Sequence, residues 1–257
     1  MKMPTIFVGH GSPMIALEDN NITKKFGSIG RNIIERYGRL KGILMISAHW
    51  YTNGTLIESA EEPQQIYDMY GFPQDLYKVR YRVQGSSELT NRVKELLSDE
   101  VSTNDEWGID HGAWTVLVHM FPAADIPVVQ LSVDRNLTEA EAFEMGRKLS
   151  VLREEGYLIV GSGNIVHNLT LVDWSNAGSS QLADDFDDVV KSIVLSGDYS
   201  TLINGIERRS DYNYAVPTKE HFYPLLYILG ASEGSTAQVF NNVRNIGSIS
   251  MTSYLFE

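Results

Sequence analysis

Four short runs of this chain, residues 5–8, 42–48, 126–133 and 157–161, are apolar almost continuously instead of at every second position, and they are rich in β-branched residues. A strand wetted on one face alternates apolar with polar, so runs of this kind belong to strands covered on both faces. Two further candidate strands lie near residues 237–243 and 248–256, and helical patterns fall at about 22–40, 86–97, 113–120, 138–154, 181–195 and 218–229. This alternation predicts the α/β class: a single three-layer α/β/α domain with a mainly parallel or mixed central sheet. Its 257 residues lie within the range of one large domain, and 43% hydrophobic residues suffice for a substantial core. No repeat, low-complexity tract or linker divides residues 1–257.

Three of the apolar runs lead into a histidine: Val8-Gly9-His10, Ser47-Ala48-His49, and the segment from Gly161 through Gly163 and Asn164 to His167. Open α/β sheets bind ligands in the crevice outside the carboxyl ends of their strands, so these imidazoles are expected to converge on one spot. A fourth, His221, falls in the last helical pattern, where Phe222, Leu225, Leu226 and Leu229 keep the i, i+3, i+4, i+7 spacing behind Pro217 and a Thr218 N-cap. In the first turn of that helix the dipole disfavours protonation, which leaves an imidazole lone pair free for a metal. A lone histidine at a loop is ordinarily a hydrogen-bonded polar residue, but four placed alike point to a metal held by His10, His49, His167 and His221. With no cysteine in the chain, any metal must take its ligands from His, Asp or Glu. His111, behind a helix N-cap at Asp110, is placed to act as a general acid or base; His119 reads as a helix-end residue with no role.

A net charge of -12 excludes nucleic acid and anionic membrane surfaces as partners, since both need a positive face. No stretch approaches the roughly 20 apolar residues of a membrane span, and the apolar run at residues 6–9 is too short for a signal peptide, so a soluble cytoplasmic protein is expected. Gly161-Ser162-Gly163-Asn164-Ile165-Val166 opens like a dinucleotide fingerprint but has Val166 in place of the third glycine. His10-Gly11-Ser12 lacks a nucleophile elbow. The acidic run Asp184-Asp185-Phe186-Asp187-Asp188 reads as a solvated helix face. Residues 51–85, mostly irregular and rich in Tyr, Phe and Pro, read as a functional wall or lid, and Tyr, Trp and Phe side chains of the 50–77 stretch are expected to stack on an aromatic ring and exclude water.

Five segments together resemble the DOPA extradiol dioxygenase family, the LigB-type class III ring-cleaving enzymes: Phe7 to Met14, Ser47-Ala48-His49-Trp50, Asp110-His111-Gly112-Ala113-Trp114, Gly163 to Leu169, and Pro217 to Phe222. Gly71-Phe72-Pro73 with Leu76 and Tyr77 adds a sixth, and the order is the family's. The resemblance implies one catalytic domain over residues 1–257, with one divalent metal ion held by His10, His49, His167 and His221 and with His111 as acid/base histidine. It implies a reaction in which a catechol, a small aromatic diol, binds Fe(II) through both oxygens and is deprotonated with help from His111. Dioxygen then enters the bond next to the diol and the ring opens to a semialdehyde. A monomer or small homo-oligomer is expected. Many class III sites use two histidines and a carboxylate; here Glu220, beside His221, is the nearest carboxylate. An all-histidine set suits Zn(II) as well as Fe(II), which leaves a zinc hydrolase on the same fold, or a non-catalytic metal or small-ligand binding protein, as alternatives.

Overall fold

The computed structural model describes residues 1–173, 175–176 and 178–257. Among the described residues ten strands form: β1 (Thr5–Gly9), β2 (Gly42–Thr52), β3 (Thr55–Ile57), β4 (Val101–Thr103), β5 (Val128–Asp134), β6 (Tyr157–Gly163), β7 (Ala237–Phe240), β8 (Arg244–Asn245), β9 (Ile249–Ser250) and β10 (Ser253–Phe256). The α-helices are α1 (Asn21–Tyr37), α2 (Ser87–Leu97), α3 (His111–Met120), α4 (Glu139–Leu149), α5 (Gln181–Ser196), α6 (Ser200–Asn204), α7 (Tyr212–Ala215) and α8 (Tyr223–Ala231). Eight strands make one mixed sheet in the order β4-β3-β5-β2-β6-β1-β10-β7, with β8 and β9 pairing apart. The four long apolar runs are its centre: β5, β2, β6 and β1 pair in parallel, while β10 and β7 are antiparallel additions.

Both faces of this parallel centre are covered, which is why its strands read as continuously apolar. Phe7, Leu44, Ile46 and Ile159 face one core together with α4 and α8 side chains such as Phe143 and Leu225. Their neighbours Ile6, Val8, Ile43, Met45, Leu158 and Val160 face a second core with Phe26, Ile33, Trp114 and Leu117 of α1 and α3. The chain steps two strand positions one way from β1 to β2 and two the other way from β5 to β6. Right-handed crossovers therefore lay α1 and α4 on opposite faces. Capping boxes, Asn20 with Thr23 and Thr138 with Glu141, start those two helices.

Local departures from the expected elements have identifiable causes. The run at 138–154 leaves the α-helix after Leu149 and closes with a 3-10 turn, Ser150–Arg153. The run at 248–256 breaks into β9 and β10. The last helix begins at Tyr223, with Pro224 in its first turn and no side-chain cap, so Thr218 is not its N-cap and His221 precedes the helix. The acidic run is not wholly solvated either. Asp187 is fully buried, accepting from Arg244 Nε at 2.6 Å and Thr252 Oγ1 at 2.7 Å, and so ties α5 to β8.

Candidate metal centre

The site lies where the carboxyl ends of β1, β2 and β6 meet. His10 follows β1 directly, and its N–H donates to Gly163 O at 3.1 Å. Strand β2 pairs regularly with β5 at Ile43 to Ile46 and again only at Tyr51 and Thr52, against Val133 and Asp134. Five residue steps along β2, from Ile46 to Tyr51, thus span what two steps, Leu131 to Val133, cover on β5, and this bulge lifts His49 out over the sheet end. His221 arrives from the other end of the chain. Asn164 N donates to His221 O at 2.9 Å, and a Cβ on Gly163 would meet that carbonyl at 2.1 Å, so only glycine lets the segment cross the end of β6. Gly112 has the same duty at the start of α3, where a Cβ would meet His49 Cδ2 at 2.8 Å.

The rings of His10, His49 and His221 form a near-equilateral triangle, with centroids 5.0, 5.3 and 5.0 Å apart. Their outer nitrogens are all engaged. Ser162 Oγ gives its proton to Gly112 O, so at 2.9 Å it accepts from His10 Nδ1. His221 Nδ1 lies 3.2 Å from Glu220 Oε1, and His49 Nδ1 lies 3.4 Å from Asp68 Oδ2. With each Nδ1 carrying the proton, all three Nε2 atoms are left as lone pairs. His10 and His49 then oppose lone pairs across 3.1 Å, and His221 Nε2 is buried without any partner.

Such an arrangement is costly unless a cation sits among the three atoms. Two imidazoles on one metal at about 2.0–2.1 Å have their nitrogens about 3–3.4 Å apart, which matches the His10–His49 spacing. Protons do not fill that role. Burial, together with neighbouring histidines, holds His10 and His221 well below the ordinary imidazole range and His49 down at about 3. The neutrality of His221 thus comes from burial and not from a helix dipole. The donor set fits a divalent ion.

His167, expected as a fourth ligand, stands outside the triangle. Its ring stacks face to face on His221, 3.5 Å between centroids and 7° between planes, and burial lowers its pKa to about 4. His111 stands on the other flank, 3.7 Å from the His49 ring. Asp68 accepts from its backbone N–H and from Nδ1, both at 2.9 Å. Burial works to raise the Asp68 pKa, but the hydrogen bond and charge of His111 outweigh it and hold the carboxyl below its usual range. Two further groups could hold an ion, Asp68 with His49 and His111, and His167 with Glu220 and His221; in the first Asp68 already accepts from His111 and lies 3.4 Å from His49 Nδ1, and in the second Glu220 already faces His221 Nδ1. Glu220 likewise sits behind His221, accepting from Thr218 Oγ1 at 2.7 Å, instead of facing the Nε2 triangle. His119 donates to Ile15 O at 2.8 Å, away from the centre.

Asp68 escaped the sequence reading, which took residues 51–85 as an aromatic wall. Tyr67 packs between Tyr77 and Trp114, Trp50 is buried, and what this stretch brings to the histidines is a carboxylate. The available signal was an isolated acid between Tyr67 and Met69, just ahead of Gly71-Phe72-Pro73.

A mixed sheet with a cluster of histidines able to hold a metal at its strand ends points to the class. The profile of the catalytic LigB subunit of aromatic ring-opening dioxygenase matches residues 4–257, and the chain belongs to this family of extradiol dioxygenases. It is 44% identical over 239 residues to a 4,5-DOPA dioxygenase extradiol of Escherichia coli K12, covering 91% of this chain and 86% of that one. The 4,5-DOPA dioxygenase extradiol of Beta vulgaris is 37% identical over 257 residues, 98% and 96% of the two chains. A crystal structure of an uncharacterized protein from Escherichia coli K12 superposes with a TM-score of 0.86 at 37% identity, over 100% of both chains. The chain is therefore an oxygenase, of a family whose substrates are aromatic rings and dioxygen. Among the described residues no helix is long and apolar enough to cross a membrane.

Proposed function

We propose that residues 1–257 act as one catalytic domain that cleaves the ring of a catechol, DOPA-like in its substituent, beside the diol. The observation that carries this reading is the triangle of Nε2 lone pairs on His10, His49 and His221, each backed by an acceptor on Nδ1. A redox-active ion such as Fe(II) held there supplies Lewis acidity to a diol and electrons to dioxygen.

The chain's own residues move the protons. Asp68 holds His111 Nδ1–H, which leaves Nε2 as the base that takes a diol proton and later returns it as the ring opens. Asp68 also stabilises the imidazolium formed in between. His167 stays neutral at pH 7, a second hydrogen-bonding imidazole on the opposite flank of the three ligands. His10, His111 and His221 are all buried, so the diolate is held away from bulk water. Both atoms of dioxygen end in the semialdehyde product.

The same three nitrogens suit Zn(II), which cannot activate dioxygen, so one experiment separates oxygenase from hydrolase and from a binding protein. The apoprotein is reconstituted anaerobically with Fe(II), and dioxygen uptake is followed together with a yellow semialdehyde, for DOPA and simpler catechols. Stoichiometric uptake that disappears in His49→Ala is expected. No uptake by stoichiometrically iron-loaded protein across that panel would overturn the proposal.

A further inference from the structure

Asp110 is completely buried and touches neither the triangle nor the space beside it, yet its carboxylate collects four donors. Oδ1 accepts from Ser47 Oγ at 2.6 Å and from Ala113 N at 3.2 Å. Oδ2 accepts from Trp107 Nε1 at 3.2 Å and from Gln130 Nε2, while Gln130 Oε1 accepts from the Asp110 N–H at 3.5 Å. Only the bond from Ala113 is the work of a helix cap, and a serine or threonine would do that without burying a carboxylate. The other three donors come from outside α3: the β2 bulge, β5, and the turn before the helix.

Two of these connections run straight to the site. Ser47 Oγ, while donating to Asp110, accepts from His49 N at 3.4 Å. On the other side the next residue in the chain is His111, which opens α3. We infer that Asp110 is a positioning residue: its carboxylate locks the His49-bearing bulge against the His111-bearing helix start and so fixes how the two rings meet. This inference rests on the reading of His49 as a ligand and His111 as the base. A rigid outer contact is what such a pair requires, because the bulge has lost its ladder pairing to β5 between Ile46 and Tyr51 and its pairing to β6 ends at Ser47.

The test reverses one hydrogen bond. Asp110→Asn keeps an acceptor for Ser47 and Ala113 but can turn an NH2 toward the Gln130 and Trp107 donors. Adding Gln130→Glu restores an acceptor opposite that NH2. Asp110→Asn is expected to lower kcat for catechol cleavage by about tenfold to a hundredfold with KM nearly unchanged, and the double variant to recover most of it. A second readout needs no turnover. In 15N-histidine spectra of the full-length apoprotein, the His49 and His111 ring resonances should move in Asp110→Asn and return in the double variant. Those of His119, bonded to Ile15 O, should stay in place. Unmoved His49 and His111 resonances in Asp110→Asn would overturn the inference, as would a folded double variant that regains neither kcat nor the parent spectrum. A parent protein without dioxygen uptake would instead defeat the functional proposal, and the spectra alone would then decide on Asp110.

Discussion

His221 concentrates the residue-scale argument, because its Nε2 is buried with no partner while its Nδ1 is held by Glu220. His221→Ala removes one of the three proposed ligands and leaves the His10 and His49 lone pairs facing each other. Stoichiometric Zn(II) binding to the apoprotein, followed by calorimetric titration, is expected to be lost in this variant. Asp68 acts through another group. In Asp68→Asn the amide can donate where the carboxylate accepted, which drives His111 toward the tautomer with its proton on Nε2 and no base for the diol. A drop in kcat of about a hundredfold or more is expected in dioxygen uptake assays and, because the same Asp68 oxygen backs His49 Nδ1, Zn(II) binding is expected to weaken by about tenfold to a hundredfold, short of the complete loss in His221→Ala. The two residues differ in how legible they are. His221 stands in a segment with its own pattern, whereas Asp68 is assigned by contacts across 43 residues of sequence, from an irregular stretch whose composition suggests aromatic packing.

Elements place these side chains, and their ends matter more than their bodies. The strands β1, β2, β5 and β6 are legible because burial on both faces writes a continuous apolar run, and the strand-end rule marks His10 and His167 beyond β1 and β6 and His49 in the last part of β2. The turn before α8 is not legible: the spacing of Phe222, Leu225, Leu226 and Leu229 marks a helix but not its start, which the bond from Asn164 N to His221 O and Pro224 set together. The β2 bulge is hidden as well, since Ser47 to Trp50 look like more strand. Gly163→Ala tests the element scale. Its Cβ must displace the His221 backbone, so a loss of about 1–3 kcal/mol in urea denaturation is expected together with weakened Zn(II) binding. At the remote Gly197 an added Cβ would meet nothing within 4 Å but its φ of +77° strains any L side chain, so Gly197→Ala is expected to lose stability while leaving Zn(II) binding unchanged.

At the scale of the whole molecule, stability carries a buried acid that has no hydrogen-bond partner among the described residues. Glu58, at the end of β3, is 3% exposed and neither carboxyl oxygen has a partner. Burial, with Asp105 and Asp110 nearby, pushes its pKa from 4.5 to about 8. The unfolded chain releases that proton above its ordinary pKa while the folded one keeps it, so this group's contribution falls as pH rises from 4.5 toward 8 and is level beyond. Glu58→Gln should match the parent near pH 4 and exceed it by about 2–4 kcal/mol above pH 8, measured by denaturant titration at each pH.

The triangle draws His10, His49 and His221 from near one end of the chain, from its first fifth, and from beyond α7. No hairpin or neighbouring pair of elements contains it, and a chain still lacking residue 221 can present only two of the three nitrogens. Ion capture therefore follows folding instead of guiding it. A metal bound by all three nitrogens would then be selected by the finished fold from the ions around it, so the ion found in purified protein would follow the metal supply of the expression host.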